Sequence, residues 1–284
     1  MSKFIFHILI VSVLFASCSK EYSQERMTGV NPPLGNDCSM TTVTPFDSAS
    51  GRGFGSFHVT FGADDRTQKV ELYDSASGTV DYYATFTYIN DTIRISANEF
   101  FVLDASRRIS EYHTLENPSD SNSEHYKYTY EYAPSGQLYH KYWFLASRNP
   151  DEPLFAYNYE WVNDNLVRVE AREAGGDKRI VLQAELSYAI DKTVKNYLYC
   201  FPEADELAPY ILSVNVGKKS RNLLQKIVVK LYDAGGNELD TYNTEYKDYK
   251  FSSDDYITEV YASGDIVDGL PIVTGLTKFS YYCK

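Results

Sequence analysis

Six times along this chain, a run that alternates aromatic or β-branched residues with polar ones meets a short turn, and a second alternating run follows. Successive side chains of a strand point to opposite faces, so alternation at every second position predicts strands. The turns are rich in Asp, Asn, Ser or Gly, most of which tolerate the positive φ of tight hairpins. The pattern predicts hairpins with turns near 64–65, 90–91, 134–136, 163–165, 191–192 and 253–255.

These units recur at similar intervals. The units centred near Leu103, Tyr132, Trp161 and Tyr188 lie 29, 29 and 27 positions apart, which indicates a degenerate repeat. We therefore expect an all-β fold, a meander of antiparallel β-hairpins that forms a curved or barrel-like sheet or a long twisted one. At most one short helix is expected, near residues 203–212, after Pro202.

The N-terminus is typical of a bacterial lipoprotein signal. Lys3 supplies a positive charge, an apolar run extends from Phe4 to Phe15, and the small residues Ala16 and Ser17 precede Cys18. An apolar run of about 12 residues is too short for a transmembrane helix, which needs roughly 20. We expect a signal peptide at residues 1–17 and acylation of Cys18. The alternative is cleavage after Ala16 or Ser17 with Cys18 left unmodified.

Composition divides the rest of the chain into two parts. Residues 18–55 are rich in Ser, Gln, Asn, Gly and Pro and show no apolar periodicity before Phe57, so we expect a lipidated N-terminus followed by a flexible tether. Residues 56–284 are expected to form a single all-β hairpin-repeat domain. In the lipoproteins that this N-terminus resembles, Ser19 in place of Asp favours the outer membrane, facing either the periplasm or the medium.

Charge and cysteine content bear on the partners. With 27 Lys and Arg against 39 Asp and Glu, the net charge is −12, which disfavours nucleic acid and anionic lipid, so membrane contact is expected only through the anchor. Besides Cys18, the chain has Cys38, Cys200 and Cys283, which allow at most one internal disulfide. Cys38 and Cys283 are the candidate pair, and Cys200 lies in a strand-like run. No Cys or His spacing suits zinc, so no metal site is expected.

An aromatic stripe is the candidate for ligand binding. Its members alternate along two successive hairpins and are expected to share one face of the sheet. Exposed, they would stack on sugar rings; covered, they would form the core of the sheet. Alternation alone does not distinguish these two interpretations. The stripe consists of Tyr128, Tyr130, Tyr132, Tyr157, Tyr159 and Trp161.

No catalytic motif is recognisable, and no cofactor is expected. The chain has no Gly-x-Ser-x-Gly elbow and no nucleotide-binding glycine pattern. Glu131 and Glu160 occupy matching places in two hairpins, and a glycosidase needs such a carboxylate pair, but solvated residues on the polar face of a strand are the simpler explanation. We expect an envelope-anchored, non-enzymatic binding or structural module with a glycan or an envelope protein as partner. The alternative is a surface polysaccharide-binding protein or glycoside hydrolase that uses the stripe.

Several turns resemble the tyrosine-aspartate (YD) repeat of Rhs-type proteins. The matching segments are Tyr73-Asp74 with Gly78, Tyr132 with Gly136, and 232–236 (Tyr-Asp-Ala-Gly-Gly). The mature chain is also similar to uncharacterised YD-like lipoproteins of Bacteroidota that are assigned to domains of unknown function; 217–224 and 279–283 look like the C-terminal end of that family. The resemblance implies a hairpin architecture and an envelope location, but no activity. Rhs toxin shells are many times longer, so it does not imply toxin encapsulation.

Overall fold

The computed structural model describes residues 38–47, 55–74, 77–117, 120, 122–148, 151–176, 178–195, 207, 210, 213–265 and 274–283. Within them the chain forms seventeen strands and no α-helix. The strands are β1 Cys38–Asp47, β2 Ser56–Phe61, β3 Thr67–Tyr73, β4 Val80–Thr85, β5 Thr87–Ile89, β6 Thr92–Arg94, β7 Phe100–Leu103, β8 Ile109–Leu115, β9 His125–Tyr132, β10 Leu138–Leu145, β11 Phe155–Val162, β12 Asn165–Glu173, β13 Ile180–Thr193, β14 Asn222–Tyr232, β15 Glu238–Phe251, β16 Ile257–Gly264 and β17 Gly275–Cys283.

The strands form one nearly closed, barrel-like antiparallel sheet. Neighbours in the chain pair in order from β5 to β17, and β1 pairs with both β17 and β2, which joins the two ends of the meander. At Phe86 the chain passes from β4, which pairs with β3, to β5, which pairs with β6. The predicted all-β meander is confirmed, in its barrel-like form.

The folded region begins earlier than the sequence predicted. Cys38–Asp47, within the stretch 18–55 assigned to a tether, is strand β1. It lies between the first hairpin and the last strand, and Met40 and Val43 are buried in the core. Its alternation is weak in the sequence, because threonines and Pro45 stand among few large apolar residues. The expected signal peptide, Cys18 and the N-terminal part of the tether lie outside the described residues.

One face of the sheet forms a continuous apolar core, and the other carries charges. In β12, Val169 and Ala171 are buried, whereas Arg168, Glu170 and Arg172 point to the opposite face and form ion pairs of 2.6–2.8 Å. The same arrangement recurs in β3, where Lys69 pairs with Glu71 at 2.6 Å, and between Lys250 and Glu259 at 2.6 Å. Apolar side chains therefore fill the inside of the barrel, and its outer wall carries the charged residues together with scattered exposed apolar ones such as Tyr83 and Tyr139.

An aromatic ladder explains the repeat and much of the tyrosine content. At one end of the barrel, an aromatic N–H or O–H group donates to the backbone carbonyl of a residue 21–25 positions earlier, at or near the start of a strand in the preceding hairpin. Each bond ties one hairpin to the next. The six pairs are Tyr88–Thr67, Tyr132–Ile109, Trp161–Leu138, Tyr188–Leu166, Tyr249–Leu224 and Tyr281–Ile257.

We call the end of the barrel where β1 begins the proximal rim, and the opposite end the far rim. Because the strands alternate in direction, the β2–β3, β5–β6, β7–β8, β9–β10, β11–β12, β13–β14 and β15–β16 connections all lie at the proximal rim. The aromatic ladder lies at this rim too. The far rim carries the other turns, including the Asp74 and Asp233 turns of the YD-like segments, where each aspartate side chain accepts backbone N–H groups.

Described residues of the long β13–β14 connection lie in the interior of the barrel, and we call Leu207, Tyr210 and residues 213–216 the crossing segment. Its side chains Leu207, Tyr210 and Val216 are buried in the core. The Tyr210 hydroxyl reaches the opposite wall, where it bonds to Tyr82 of β4 and to Glu99. The expected helix at 203–212 falls mostly outside the described residues; Leu207 and Tyr210, which are described, belong to this buried crossing.

Candidate functional site

The structure turns the aromatic stripe towards the interior. Tyr128, Tyr130 and Tyr159 are 7%, 5% and 4% exposed, and the other three pack partly buried against the core. Two of those three, Tyr132 and Trp161, belong to the aromatic ladder. The shared face that alternation predicted exists, but it is the covered one. The exposed aromatic surface on which the ligand-binding interpretation depended is therefore lacking at these six residues.

A buried lysine lies among the stripe residues. Lys141 of β10 is 1% exposed, and its Nζ lies 4.1 Å from the ring centroid of Tyr157 and 5.8 Å from that of Tyr128. An ammonium over an aromatic face gains cation–π attraction that increases as water is excluded. Sequence reasoning missed this residue, because a Lys within a Tyr-rich strand also fits an outward position.

Glu131 and Glu160 lie on separate strands of the outer wall, and both are exposed. Glu131 faces His140 on β10, His140 faces Asn158 on β11, and Glu160 lies two residues beyond Asn158. Two strand spacings and two residue rises separate their backbones by about 12 Å. Their exposure fits solvated residues on the polar face of a strand.

The histidines make local contacts on the outer wall. Nε2 of His113 lies 2.8 Å from a Glu111 oxygen, and the His113 ring stacks on His125 with centroids 5.5 Å apart. Burial, followed by the charge of His113, lowers the pKa of His125. Among the described residues, no group of three or more His, Cys, Asp or Glu side chains is placed to hold a metal ion.

A tyrosine–carboxylate network holds the crossing segment. Glu99 accepts hydrogen bonds from the hydroxyls of Tyr112, at 2.8 Å, and of Tyr210, which also bonds to Tyr82. The Tyr210 ring meets Phe101 edge-on at 5.4 Å. Burial raises the pKa of Tyr82 to about 12 and also raises the pKa of Tyr210. The network ties the crossing segment to the opposite wall of the barrel.

A cluster of basic side chains lies at the proximal rim, at the two ends of the β13–β14 connection. Three of its basic residues, Lys192, Lys195 and Arg221, are exposed, and Lys219 is half-buried. Lys192 Nζ lies 3.5 Å from the centre of the Phe251 ring, and Lys195 Nζ lies 5.3 Å from that of Tyr256. We call Lys192, Lys195, Lys219 and Arg221 the basic rim surface.

An open cavity of about 460 Å³ adjoins this surface. Its floor includes a buried amide pair, in which Asn165 Nδ2 donates to Asn222 Oδ1 at 2.9 Å and the Asn222 N–H donates to Asn165 Oδ1 at 2.9 Å. A register shift between Ala189 and Thr193 pushes Ile190 outwards, to 84% exposure. Bulges of this kind redirect side chains at sheet rims. The sequence signal was the basic run 218–221, which the sequence analysis related only to a family C-terminus.

Comparisons with known proteins find fold similarity alone. The chain is similar to a porin-like protein from Bacteroides uniformis ATCC 8492, with 11% identity and a TM-score of 0.57 over 85% of this chain and 96% of the other. A porin-like protein from Bacteroides vulgatus ATCC 8482 gives 14% identity and a TM-score of 0.52 over 86% and 98%. The Photorhabdus luminescens Tc holotoxin pore matches 87% of this chain and 15% of its own, with 12% identity and a TM-score of 0.26.

No protein-family profile and no curated protein sequence matches the chain. Among the described residues, no helix is long and apolar enough to cross a bilayer. The fold is thus shared with two porin-like proteins of Bacteroides, and the function has to be argued from the site.

Proposed function

We propose that this protein is an envelope lipoprotein whose barrel-like body acts as a non-enzymatic binding or structural module outside the hydrocarbon layer. The observation that carries this proposal is the distribution of polarity in the sheet. The core and the crossing segment occupy the interior, and ion pairs such as Lys69–Glu71 and Lys250–Glu259 lie on the outer wall. A wall that meets lipid tails carries an outward apolar band instead.

Such a body needs another means of membrane attachment, and the N-terminal sequence offers one. Ala16-Ser17-Cys18 follows the apolar run directly. A diacylglyceryl group together with an N-terminal acyl chain anchors stably, because each buried methylene contributes about 0.8 kcal/mol. The Bacteroides porin-like proteins that share the fold support an envelope setting in general.

The test is the chemical state and location of the natively expressed protein. We expect intact mass spectrometry to show a chain that begins at Cys18 and carries acyl groups, and membrane fractionation to recover it with the outer membrane. Cys18→Ser should abolish acylation and release the protein into the soluble fraction, whereas Cys200→Ser should leave both unchanged. An unmodified N-terminus, or wild-type membrane association of Cys18→Ser, would contradict the proposal.

The hydrolase alternative has no supporting observation. The aromatic stripe is covered, and Glu131 and Glu160 are exposed on separate strands of the outer wall. A glycan or protein partner stays a prediction, and a glycan array with a pull-down from envelope extracts would test it. The outer wall and the proximal-rim cavity are the surfaces available to such a partner.

A further inference from the structure

We propose that the basic rim surface binds the phosphate groups of the anionic lipid surface to which the chain is anchored, so that the proximal rim faces the membrane. This inference rests on the proposed function, because it takes Cys18 as the point of attachment. It also revises the prediction of no direct contact with anionic lipid, which followed from the net charge of −12 over the whole chain.

The first support is where the chain enters the barrel. The Cys38 N–H donates to the Tyr256 hydroxyl at 3.2 Å, and Lys195 Nζ lies 5.3 Å from the centre of that Tyr256 ring. The polypeptide coming from Cys18 therefore joins the sheet beside the basic rim surface. The first described residue of the barrel is also the one nearest to the anchor in the sequence.

The second support is the length of the chain between Cys18 and the first strand. Twenty peptide steps separate Cys18 from Cys38. A chain of this length spans at most about 70 Å when fully extended, and a random coil of it averages about 25 Å end to end. A barrel tethered by its proximal rim therefore stays close enough for that rim to meet the membrane surface, whereas the far rim would have to fold back to do so.

The third support is the uneven distribution of charge along the barrel axis. The basic rim surface lies beside Asp164, Asp191, Asp254 and Asp255, and over the whole proximal rim the described acidic and basic residues are about equal in number. At the far rim Arg148, Lys178 and Arg179 are outnumbered by acidic residues, which include Asp74, Glu116, Asp120, Glu124, Asp233 and Asp265. An anionic surface therefore repels the far rim, whereas the proximal rim is about neutral and its basic rim surface supplies a local attraction within roughly a Debye length.

The fourth support is the presence of exposed aliphatic side chains beside the basic ones. Ile190 is 84% exposed and Val162 is 47% exposed, and both line the cavity next to Arg221. Exposed aliphatic side chains beside basic ones are typical of surfaces that enter the headgroup region of a bilayer. The cavity between them is open to an incoming headgroup.

The test measures orientation on vesicles and does not depend on acylation. The chain from residue 18, with Cys18→Ser and Cys200→Ser, is attached by an N-terminal histidine tag to nickel-chelating lipid. One fluorophore is placed at Ser253→Cys on the proximal rim or at Ser147→Cys on the far rim; both positions are exposed. Energy transfer to an acceptor lipid then reports which rim is nearer to the bilayer.

On vesicles with about one third phosphatidylglycerol, we expect higher transfer from Ser253→Cys than from Ser147→Cys, and a smaller difference on phosphatidylcholine or at high salt. Each surface basic residue is worth about fivefold in association with anionic lipid. The triple reversal Lys192→Glu, Lys195→Glu, Arg221→Glu should therefore reduce the difference at least to the level found on phosphatidylcholine. A matched reversal on the outer wall, Lys127→Glu, Lys226→Glu, Lys247→Glu, should retain it.

Equal transfer from the two rims, higher transfer from the far rim, or the same loss in both reversal variants would overturn the inference. Circular dichroism confirms that each variant is folded before it is scored. Failure of Cys18 acylation in cells would remove the proposed anchoring without affecting the vesicle result. The two proposals therefore fail separately.

Discussion

Cys38 lies directly opposite Cys283 in the register of β1 and β17, the strands that join the two ends of the meander. Directly opposed Cα atoms in an antiparallel pair are about 4.5–5.5 Å apart, within the range that a disulfide spans. Cys38 is disulfide-bonded in the structure. We therefore predict the Cys38–Cys283 bridge that the sequence analysis named as the candidate pair.

The bridge would close a loop of about 245 residues, which in the chain-entropy model stabilises by several kcal/mol. We expect Cys38→Ser, Cys283→Ser and the double variant to lower the free energy of unfolding by about 3–5 kcal/mol in urea titrations. Peptide mapping without reduction should recover residues 38 and 283 in one linked peptide. Recovery of Cys200 linked to either residue would contradict the pairing.

The aromatic ladder predicts a specific cost for removing one hydroxyl. Tyr132 Oη donates to the Ile109 carbonyl at 2.8 Å, and its ring lies under Arg108 at 4.3 Å. Tyr132→Phe leaves that carbonyl without this donor, so we expect a loss of about 1–2 kcal/mol in the free energy of unfolding. Tyr83, 65% exposed on the outer wall, is the matched control. Tyr83→Phe should change stability by less than about 0.5 kcal/mol.

Buried phenols predict instability in alkali. Burial raises the pKa of Tyr82 and of Tyr88 to about 12 from an ordinary value of 10. As the pH rises, the unfolded chain therefore loses these two protons at a lower pH than the folded protein does. The stabilisation that the two phenols contribute to folding is complete below pH 10 and is lost as the pH rises from about 10 to about 12. Thermal midpoints measured by circular dichroism should fall in that window.

The combined variant Tyr82→Phe, Tyr88→Phe should show a shallower decline over the same pH range, although it starts from a lower stability. The two buried phenols are its only titrating changes, so the slope reports on them directly. A decline as steep as that of the wild type would assign the alkaline transition to other groups.

The burial of Lys141 predicts that the volume of the side chain at this position contributes more to folding stability than its charge does. Its side chain is 1% exposed and packs against Tyr157 and Tyr128. Lys141→Ala removes most of that packing, and we expect a loss of about 2–4 kcal/mol in the free energy of unfolding. Lys141→Met keeps the length of the side chain and should recover at least half of that loss. Lys226→Ala on the outer wall is the control and should be nearly neutral.

The hairpins were predictable because strand alternation and turn chemistry are local. Residues such as Asn90, Asn163 and Asp255 take positive φ where the sequence indicated turns, and the aromatic stripe shares a face as alternation requires. Whether that face was covered depended on which strands close against each other. The crossing segment was missed, because its burial against Tyr82 and Glu99 comes from contacts more than a hundred residues apart in the chain.

By itself, then, the sequence determined the antiparallel hairpins, their order and the repeat, since these follow from alternation and from turns a few residues long. Tertiary structure decided that β1 joins β17, that the stripe lines a filled interior, and that the basic residues of one long connection lie beside the start of the first strand. Closure of the sheet is the physical reason, because it divides each strand into a covered and an exposed face and brings distant turns to one rim.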